Sequence, residues 1–324
     1  MTGLPRLKVS GAIMAKPGSV RTRRGARERR GTRSATIAPP IPSGLKKAKL
    51  GDVRAALRLS REPGWNQVAA DWRLMLKVGD SFGLATNENR LVASGLTVPF
   101  HSQFGWISMI LVTAPFRRRG LATYLMGRCI GALRARGLVP ALDATPEGRA
   151  VYRSLGFKDV YRITRFLAAA PFVENKLPPP GVKLRKMSPA DLAAVTAYDT
   201  PVFGADRRFL IEHLRSRRPA LAFLATRGAK TCGYVLAREG RASTQIGPLV
   251  ADDGTTALAL LASSLGASSG SVCIDLLDRH RAVGKELESR GFAPLLRFIR
   301  MIHGRSEPFD DVRRVFAIAG PELG

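Results

Sequence analysis

The chain of 324 residues predicts an α/β protein whose mixed sheet is built from two tandem copies of one unit. Three observations predict this. A strand-turn-helix stretch runs from Trp106 to Gly137, and a helix and strand meeting at Leu155-Gly156-Phe157 follow it. A stiff break at Leu177-Pro178-Pro179-Pro180-Gly181 then precedes a weaker repeat of the same order.

The first stretch carries the most information. Trp106 to Val112 is apolar and rich in β-branched residues, which suits a buried strand. Thr113-Ala114-Pro115 stops it, because proline has no N–H to give to a sheet ladder. Leu121, Leu125, Cys129 and Leu133 then recur every four residues, flanked by Ala122 and Ile130, and Gly137 stands where a helix would end. Arg117-Arg118-Arg119-Gly120 is therefore the turn into a helix N-terminus. Such a terminus has unpaired N–H groups and the positive end of the helix dipole, so an anion settles there. Gly120 has no Cβ to keep a phosphate from the backbone, and the arginines add charge-assisted bonds. A merely solvated basic turn would use the same residues.

The flanking chain completes the unit. Gly51 to Leu59 reads as a short helix with Asp52 near its start, and Val68 to Val78 has helical spacing. Phe82 to Thr86 and Leu91 to Pro99 read as a hairpin around Asn87-Glu88-Asn89-Arg90, and Val139 to Ala144 as a strand. After the proline break, Val182 to Arg185 is a strand and Ser188-Pro189 opens a helix. Leu221 to Thr226 and Cys232 to Arg238 resemble the hairpin, Ile246 to Ala251 replaces the apolar strand, and Gly291-Phe292 echoes Gly156-Phe157. The spacing agrees: forty-four residues separate Val112 from Gly156, and forty-one separate Val250 from Gly291. Where the first copy has Arg117 to Gly120, the second has Asp252-Asp253-Gly254-Thr255, and two carboxylates repel a phosphate.

Composition sets bounds. Hydrophobic residues make up 45%, enough for a full core. Net charge is +27, and residues 1–50 carry thirteen Lys and Arg against Glu28 alone. That excess suggests anionic partners. Residues 1–43 read as a disordered basic extension. It has no aromatics for base stacking, so a charged tail or an upstream-start extension fits better than a nucleic-acid-binding arm. Cys129, Cys232 and Cys273 have no metal-ligand spacing; no metal is expected, and a reducing, cytoplasmic setting fits. The longest uncharged stretch, Thr255 to Ile274, is too rich in Ser, Gly and Thr to span a membrane.

Arg117-x-x-Gly120-x-Ala122, after a strand and a proline, resembles the acetyl-CoA pyrophosphate motif of the GNAT superfamily of N-acetyltransferases. Gly148 to Phe157 is similar to the family's helix and following strand. The two motifs in this order, with a strand between them, are more specific than either one, and the likeness covers roughly residues 45 to 303. It implies a catalytic domain at 44–176, a linker at 177–181, a degenerate second GNAT-like domain at 182–303 and a tail at 304–324. It also implies acetyl-CoA as co-substrate, its pyrophosphate on the turn Arg117, Arg118, Arg119, Gly120, Leu121, Ala122 and Thr123, and its pantetheine arm along Ile110-Leu111-Val112.

Tyr152 matches the family tyrosine that protonates the departing thiolate, a task suited to a phenol of pKa about 10. The chain departs from the pattern at Ser108 and Met109, where many members carry a glutamate base. Asp143 is the nearest acidic candidate for holding the ammonium or relaying its proton, and it would equally suit a helix cap at Pro146. Trp65 and His101 are candidates for lining the acceptor pocket, which should lie between the two domains. The implied activity is transfer of acetyl to a primary amine of a small molecule or protein. A non-catalytic acyl-CoA sensor and nucleic-acid binding through the basic arm are the alternatives.

Overall fold

A computed structural model describes residues 41, 44–100 and 103–324. Apart from residue 41, the N-terminal extension lies outside the described residues, as does His101. The first copy runs β1 (Leu45–Ala48), α1 (Val53–Arg61), α2 (Ala69–Val78), β2 (Ser81–Thr86), β3 (Leu91–Phe100), β4 (Phe104–Val112), α3 (Leu121–Ala135), β5 (Val139–Ala144), α4 (Pro146–Ser154) and β6 (Phe157–Ala168). The second runs β7 (Val182–Lys186), α5 (Leu192–Phe203), α6 (Arg208–Arg217), β8 (Phe223–Arg227), β9 (Lys230–Arg238), β10 (Thr244–Ala251), α7 (Gly254–Gly266), β11 (Val272–Leu277), α8 (Arg281–Ser289), β12 (Ala293–His303) and β13 (Val315–Ala317).

Local chemistry sets the boundaries. Asp52 caps α1, its carboxylate accepting the Arg54 N–H at 2.8 Å. The stripe Leu121, Leu125, Cys129 and Leu133 is buried, so α3 lies flat on the sheet. Gly137, at φ 72°, lets the chain leave that helix. Helix α6 was not anticipated: its charged sequence RFLIEHLRSR hides the buried residues Leu210, Ile211 and Leu214.

All thirteen strands among the described residues join one sheet, in the order β1-β2-β3-β4-β5-β12-β6-β11-β13-β10-β9-β8-β7. The two copies therefore exchange their last strands. β12, from the second half, pairs with β5 of the first, while β6, from the first half, pairs with β11 of the second. β6 and β12 lie antiparallel to each other between them.

A matched pair of ion pairs accompanies the exchange. Arg165 and Arg300 stand nine residues beyond Gly156 and Gly291, at equivalent places on β6 and β12. Arg300 sends Nε and Nη2 to Asp143 on β5 at 3.0 and 2.9 Å, and Arg165 sends the same two atoms to Asp275 on β11 at 2.7 Å each. Each arginine thus grips an aspartate of the other half. Both aspartate side chains are fully buried.

The sheet is split twice, in equivalent places. β4 and β5 run parallel and pair at Phe104, Gly105 and Trp106, then separate. β10 and β11 pair at Thr244, Gln245 and Ile246, then separate too. In the second split lies β13, antiparallel to both neighbours: Ala317 faces Leu249 and Leu276. His280 stacks on Phe316 at 3.9 Å and hydrogen-bonds the Val312 and Val315 carbonyls.

The tail expected at 304–324 is therefore corrected. Val315 to Gly320 are buried, because the split offers unpaired strand edges and an apolar floor that this segment satisfies. It continues to Pro321, whose carbonyl accepts Trp106 Nε1–H from β4 at 2.9 Å. No described helix is long and apolar enough to cross a membrane.

Arg300→Met would leave the buried Asp143 carboxylate without its cation. The expected loss is on the order of 3–5 kcal/mol in denaturant-induced unfolding; a change within about 0.5 kcal/mol, the range of ordinary surface substitutions, would contradict the fork's role.

Candidate active site

The turn before α3 is held from behind. Arg117 gives Nη2 to Glu62 Oε1 and Nε to the Val112 carbonyl, each at 3.0 Å, and the same Glu62 oxygen takes the Ala114 N–H at 2.7 Å. Arg117, expected at the phosphate, thus ties the turn to the end of α1 instead. Among the described residues its Nη1 makes no hydrogen bond. Arg118 and Arg119 are exposed beside the helix start, Arg119 resting over Phe116 at 5.1 Å.

Gly120 has φ 75°, a left-handed conformation, and nothing lies within 4 Å of where its Cβ would be. Among the described residues no side chain caps α3, and the first helical hydrogen bond of this turn runs from Tyr124 N–H to Gly120 O at 3.0 Å. The start of α3 therefore keeps the features that draw an anion.

Its counterpart is closed. Asp253 caps α7, accepting the Thr256 N–H at 2.8 Å, and also pairs with Arg227 at 3.6 Å. Asp252 takes Arg314 Nη2 at 2.7 Å and the Tyr198 hydroxyl at 3.0 Å. A carboxylate occupies the position an outside anion would need.

β4 carries an irregularity that the sequence did not announce. Ser94 pairs with Leu111 and Leu96 with Ser108, so Met109 and Ile110 together face Gly95. Met109 sits at φ 54°, and its carbonyl accepts the Ser94 hydroxyl at 2.8 Å. Such a bulge bends the strand and re-aims its backbone. Here it borders a cavity of about 350 Å³ that begins in the β4–β5 split and runs between the two halves. Ile110 lines that cavity together with Ile107, Ser108 and Met109, whereas Leu111 and Val112 are committed to β3.

Tyr152 lines the same cavity from α4. Its ring packs on Gly148, where any Cβ would come within 2.9 Å, and lies 6.3 Å from Phe157. Among the described residues its hydroxyl makes no hydrogen bond, and burial pushes its pKa up to about 12. Trp65 lines the opposite wall from the α1–α2 loop.

That loop is fastened to the second half. The Asn66 side chain accepts the Ala242 and Ser243 N–H groups at 2.9 and 3.2 Å and donates to the Ser243 carbonyl at 3.0 Å. Arg241 donates to the Trp65 and Gly64 carbonyls at 2.9 and 2.8 Å. Nothing in the sequence marked these long-range pairs.

Asp143 also lines the cavity, but both of its oxygens are taken by Arg300 and its side chain is fully buried. Burial raises its pKa while Arg300 opposes the rise. Its expected role as a base is corrected: an anion forked onto a buried guanidinium is neither free to hold an ammonium nor placed to pass its proton to water. The alternative role fails as well, since Thr145 is the residue that caps α4, accepting the Gly148 N–H at 3.4 Å.

Sequence reasoning missed Arg165 and Glu322 on this cavity. Glu322 pairs with Arg238, which with Arg217 also holds the buried Asp71 of α2. Those two cations outweigh the burial that would raise the Asp71 pKa, and lower it. Among the described residues no group of three or more His, Cys, Asp and Glu is placed to hold a metal.

Two family profiles match the two halves. One, described as the Acetyltransferase (GNAT) family, covers residues 54–157; the other, an Acetyltransferase (GNAT) domain, covers residues 195–317. The chain belongs to the GNAT superfamily. This tandem GNAT protein is 24% identical over 243 residues to the uncharacterized N-acetyltransferase YitH of Bacillus subtilis, spanning 74% of this chain and 84% of that one. Among solved structures, one from Pyrococcus horikoshii superposes with a TM-score of 0.70 at 20% identity, covering 90% of this chain and 99% of its own. A GCN5-related N-acetyltransferase from Sphaerobacter thermophilus gives 0.61 at 18% identity, over 83% and 98%. A tandem GNAT protein from the clavulanic acid biosynthesis pathway gives 0.54 at 15%, over 80% and 98%. At these identities the superpositions speak for the fold.

Asp253→Ala should cost about 0.5–2 kcal/mol in denaturant unfolding, the scale of a lost helix cap. No measurable change would mean that α7 is not closed by this residue.

Proposed function

We propose that the protein transfers acetyl from acetyl-CoA to a primary amine, with residues 44–176 holding the donor and residues 182–303 serving as a donor-free partner. One contrast carries the reading. The two halves share a split sheet and a following helix, but the split between β10 and β11 holds β13 and α7 is capped by Asp253. The split between β4 and β5 opens into the cavity, and among the described residues α3 has no side-chain cap.

In this reading the N–H groups at the start of α3 (Leu121, Ala122 and Thr123), aided by Arg118 and Arg119, bind the pyrophosphate, and Gly120 gives it room. The bulge at Met109 and Ile110 directs backbone N–H toward the thioester oxygen, where the tetrahedral oxyanion develops. Trp65 forms the apolar wall of the acceptor pocket. Holding both reactants between β4, α4 and the second half makes attack of the amine effectively unimolecular.

Tyr152 is the acid. The amine nitrogen bonds to the carbonyl carbon, the C–S bond breaks, and the leaving thiolate takes the phenol's proton. The phenolate then recovers a proton from the new amide nitrogen through water. A phenol raised to about pH 12 stays protonated throughout the neutral range, which this role needs.

Incubating the full chain with acetyl-CoA and a panel of primary amines (polyamines, amino sugars, diamino acids), with CoA thiol release as readout, tests the reading. Turnover of at least one amine is expected, and none would overturn it. Tyr152→Phe should lower kcat by about 10²-fold or more, the scale of a lost general acid, with acetyl-CoA affinity unchanged. Wild-type kcat in that variant would remove the proposed acid.

A further inference from the structure

Three carboxylates and one guanidinium line the cavity: Asp143, Glu147, Glu322 and Arg165. Asp143 is sealed against Arg300, and the Glu322 side chain, 3% exposed, is folded onto Arg238. Glu147, in the first turn of α4, is exposed. Arg165 is the one cation among the described residues on the cavity wall, and 15% of its side chain remains accessible.

Its equivalence to Arg300 makes that exposure informative. Both arginines fork onto an aspartate of the other half through Nε and Nη2. Arg300 is closed off on its remaining side: it is 3% exposed, with Trp106 at 4.4 Å, Tyr161 at 5.1 Å and Asp310 at 3.6 Å from Nη1. Arg165 has only Phe298 against its face, at 5.3 Å, and among the described residues its Nη1 makes no hydrogen bond. Behind it, Asp275 is held by Gln245 Nε2 at 2.9 Å, so the guanidinium is fixed and cannot swing away. A planar cation fixed through Nε and Nη2, on a cavity wall and with Nη1 unpaired among the described residues, has the chemistry to take a carboxylate.

We infer that Arg165 binds a carboxylate on the acceptor, so that the substrate is an amino acid or related molecule whose reacting amine lies several atoms from that carboxylate. The separation follows from the sheet. Arg165 faces Leu296 on β12 while Ala144, at the end of β5, faces Ile299 three residues further along. Two strand spacings and three residues place the arginine about 14 Å from the end of β5 by backbone, before either side chain reaches into the cavity. A separation of that order, less the reach of the arginine, favours an amine carried several atoms from its carboxylate over an α-amine.

This inference rests on the acetyl-transfer reading above, and its test separates the two. The probes are L-lysine against cadaverine and L-ornithine against putrescine, pairs differing in the carboxylate, each offered with acetyl-CoA to the full chain. The wild type should favour the amino acid in kcat/KM by about tenfold or more, the scale of one hydrogen bond to a charged group. Arg165→Lys keeps a cation beside Asp275 but removes the free arm. It weakens the pair with Asp275, so the readout is the ratio: lysine and cadaverine should come to the same kcat/KM, with acetyl-CoA affinity near wild type. Equal use of lysine and cadaverine by the wild type, or an equal loss on both in the variant, would overturn the carboxylate site. Turnover of anion-free amines with none of lysine or ornithine would also overturn it and leave acetyl transfer standing. No turnover of any amine would overturn both.

Discussion

Reciprocal exchange of two strands is the constraint from which the rest of the molecule follows. Without it the chain would be two units joined by a proline-rich linker. With it, β6 and β12 lie side by side at the centre of one sheet, and neither half can complete its sheet alone. The forks Arg300–Asp143 and Arg165–Asp275 act on register more than on net stability. Desolvating four charged groups offsets most of their attraction, but a slip of one residue would turn each arginine to the opposite face and strand two buried carboxylates. The exchange also fixes the cavity, whose walls come from β4, β5 and α4 on one side and from β6, β12 and the loop before β10 on the other.

Duplication followed by divergence is written into the two splits. The same strand geometry opens a gap in each half, and unpaired edges in such a gap must be answered by something. In the second half the chain answers with its own β13, with Asp253 on the neighbouring helix and with Asp252 paired to Arg314. In the first half the gap leads into the cavity and the helix start stays open. One half has become a wall for the other. Pro321 and Glu322, just beyond β13, reach that wall, so the segment that closes one split also shapes the space served by the other.

Much of this was legible in the chain, for identifiable reasons. Strands β4 and β5 and helix α3 announce themselves through β-branched runs, a stopping proline and a four-residue apolar stripe, all of them local signals. The two Gly-Phe steps and the acidic replacement of the basic turn revealed the duplication and its asymmetry. What stayed hidden is long-range. Strand exchange leaves no mark on either strand's own sequence, so nothing local singles out Arg165 or Arg300, and the neighbours of Asp143 suit a proton relay or a helix cap equally. The tie from Arg117 to Glu62 is hidden because the two lie far apart on the chain. The bulge at Met109 and Ile110 has no glycine at either bulged position to betray it, and the short β13 reads as tail because three residues carry too little periodicity to count as a strand.

The stoichiometry of donor binding bears most directly on the claim that one half is open and its twin is closed. Isothermal titration of the full chain with acetyl-CoA should give one site per chain, eliminated by Gly120→Val and unaffected by Asp253→Ala. Two sites per chain, or a single site that survives at Gly120→Val and disappears at Asp253→Ala, would contradict it.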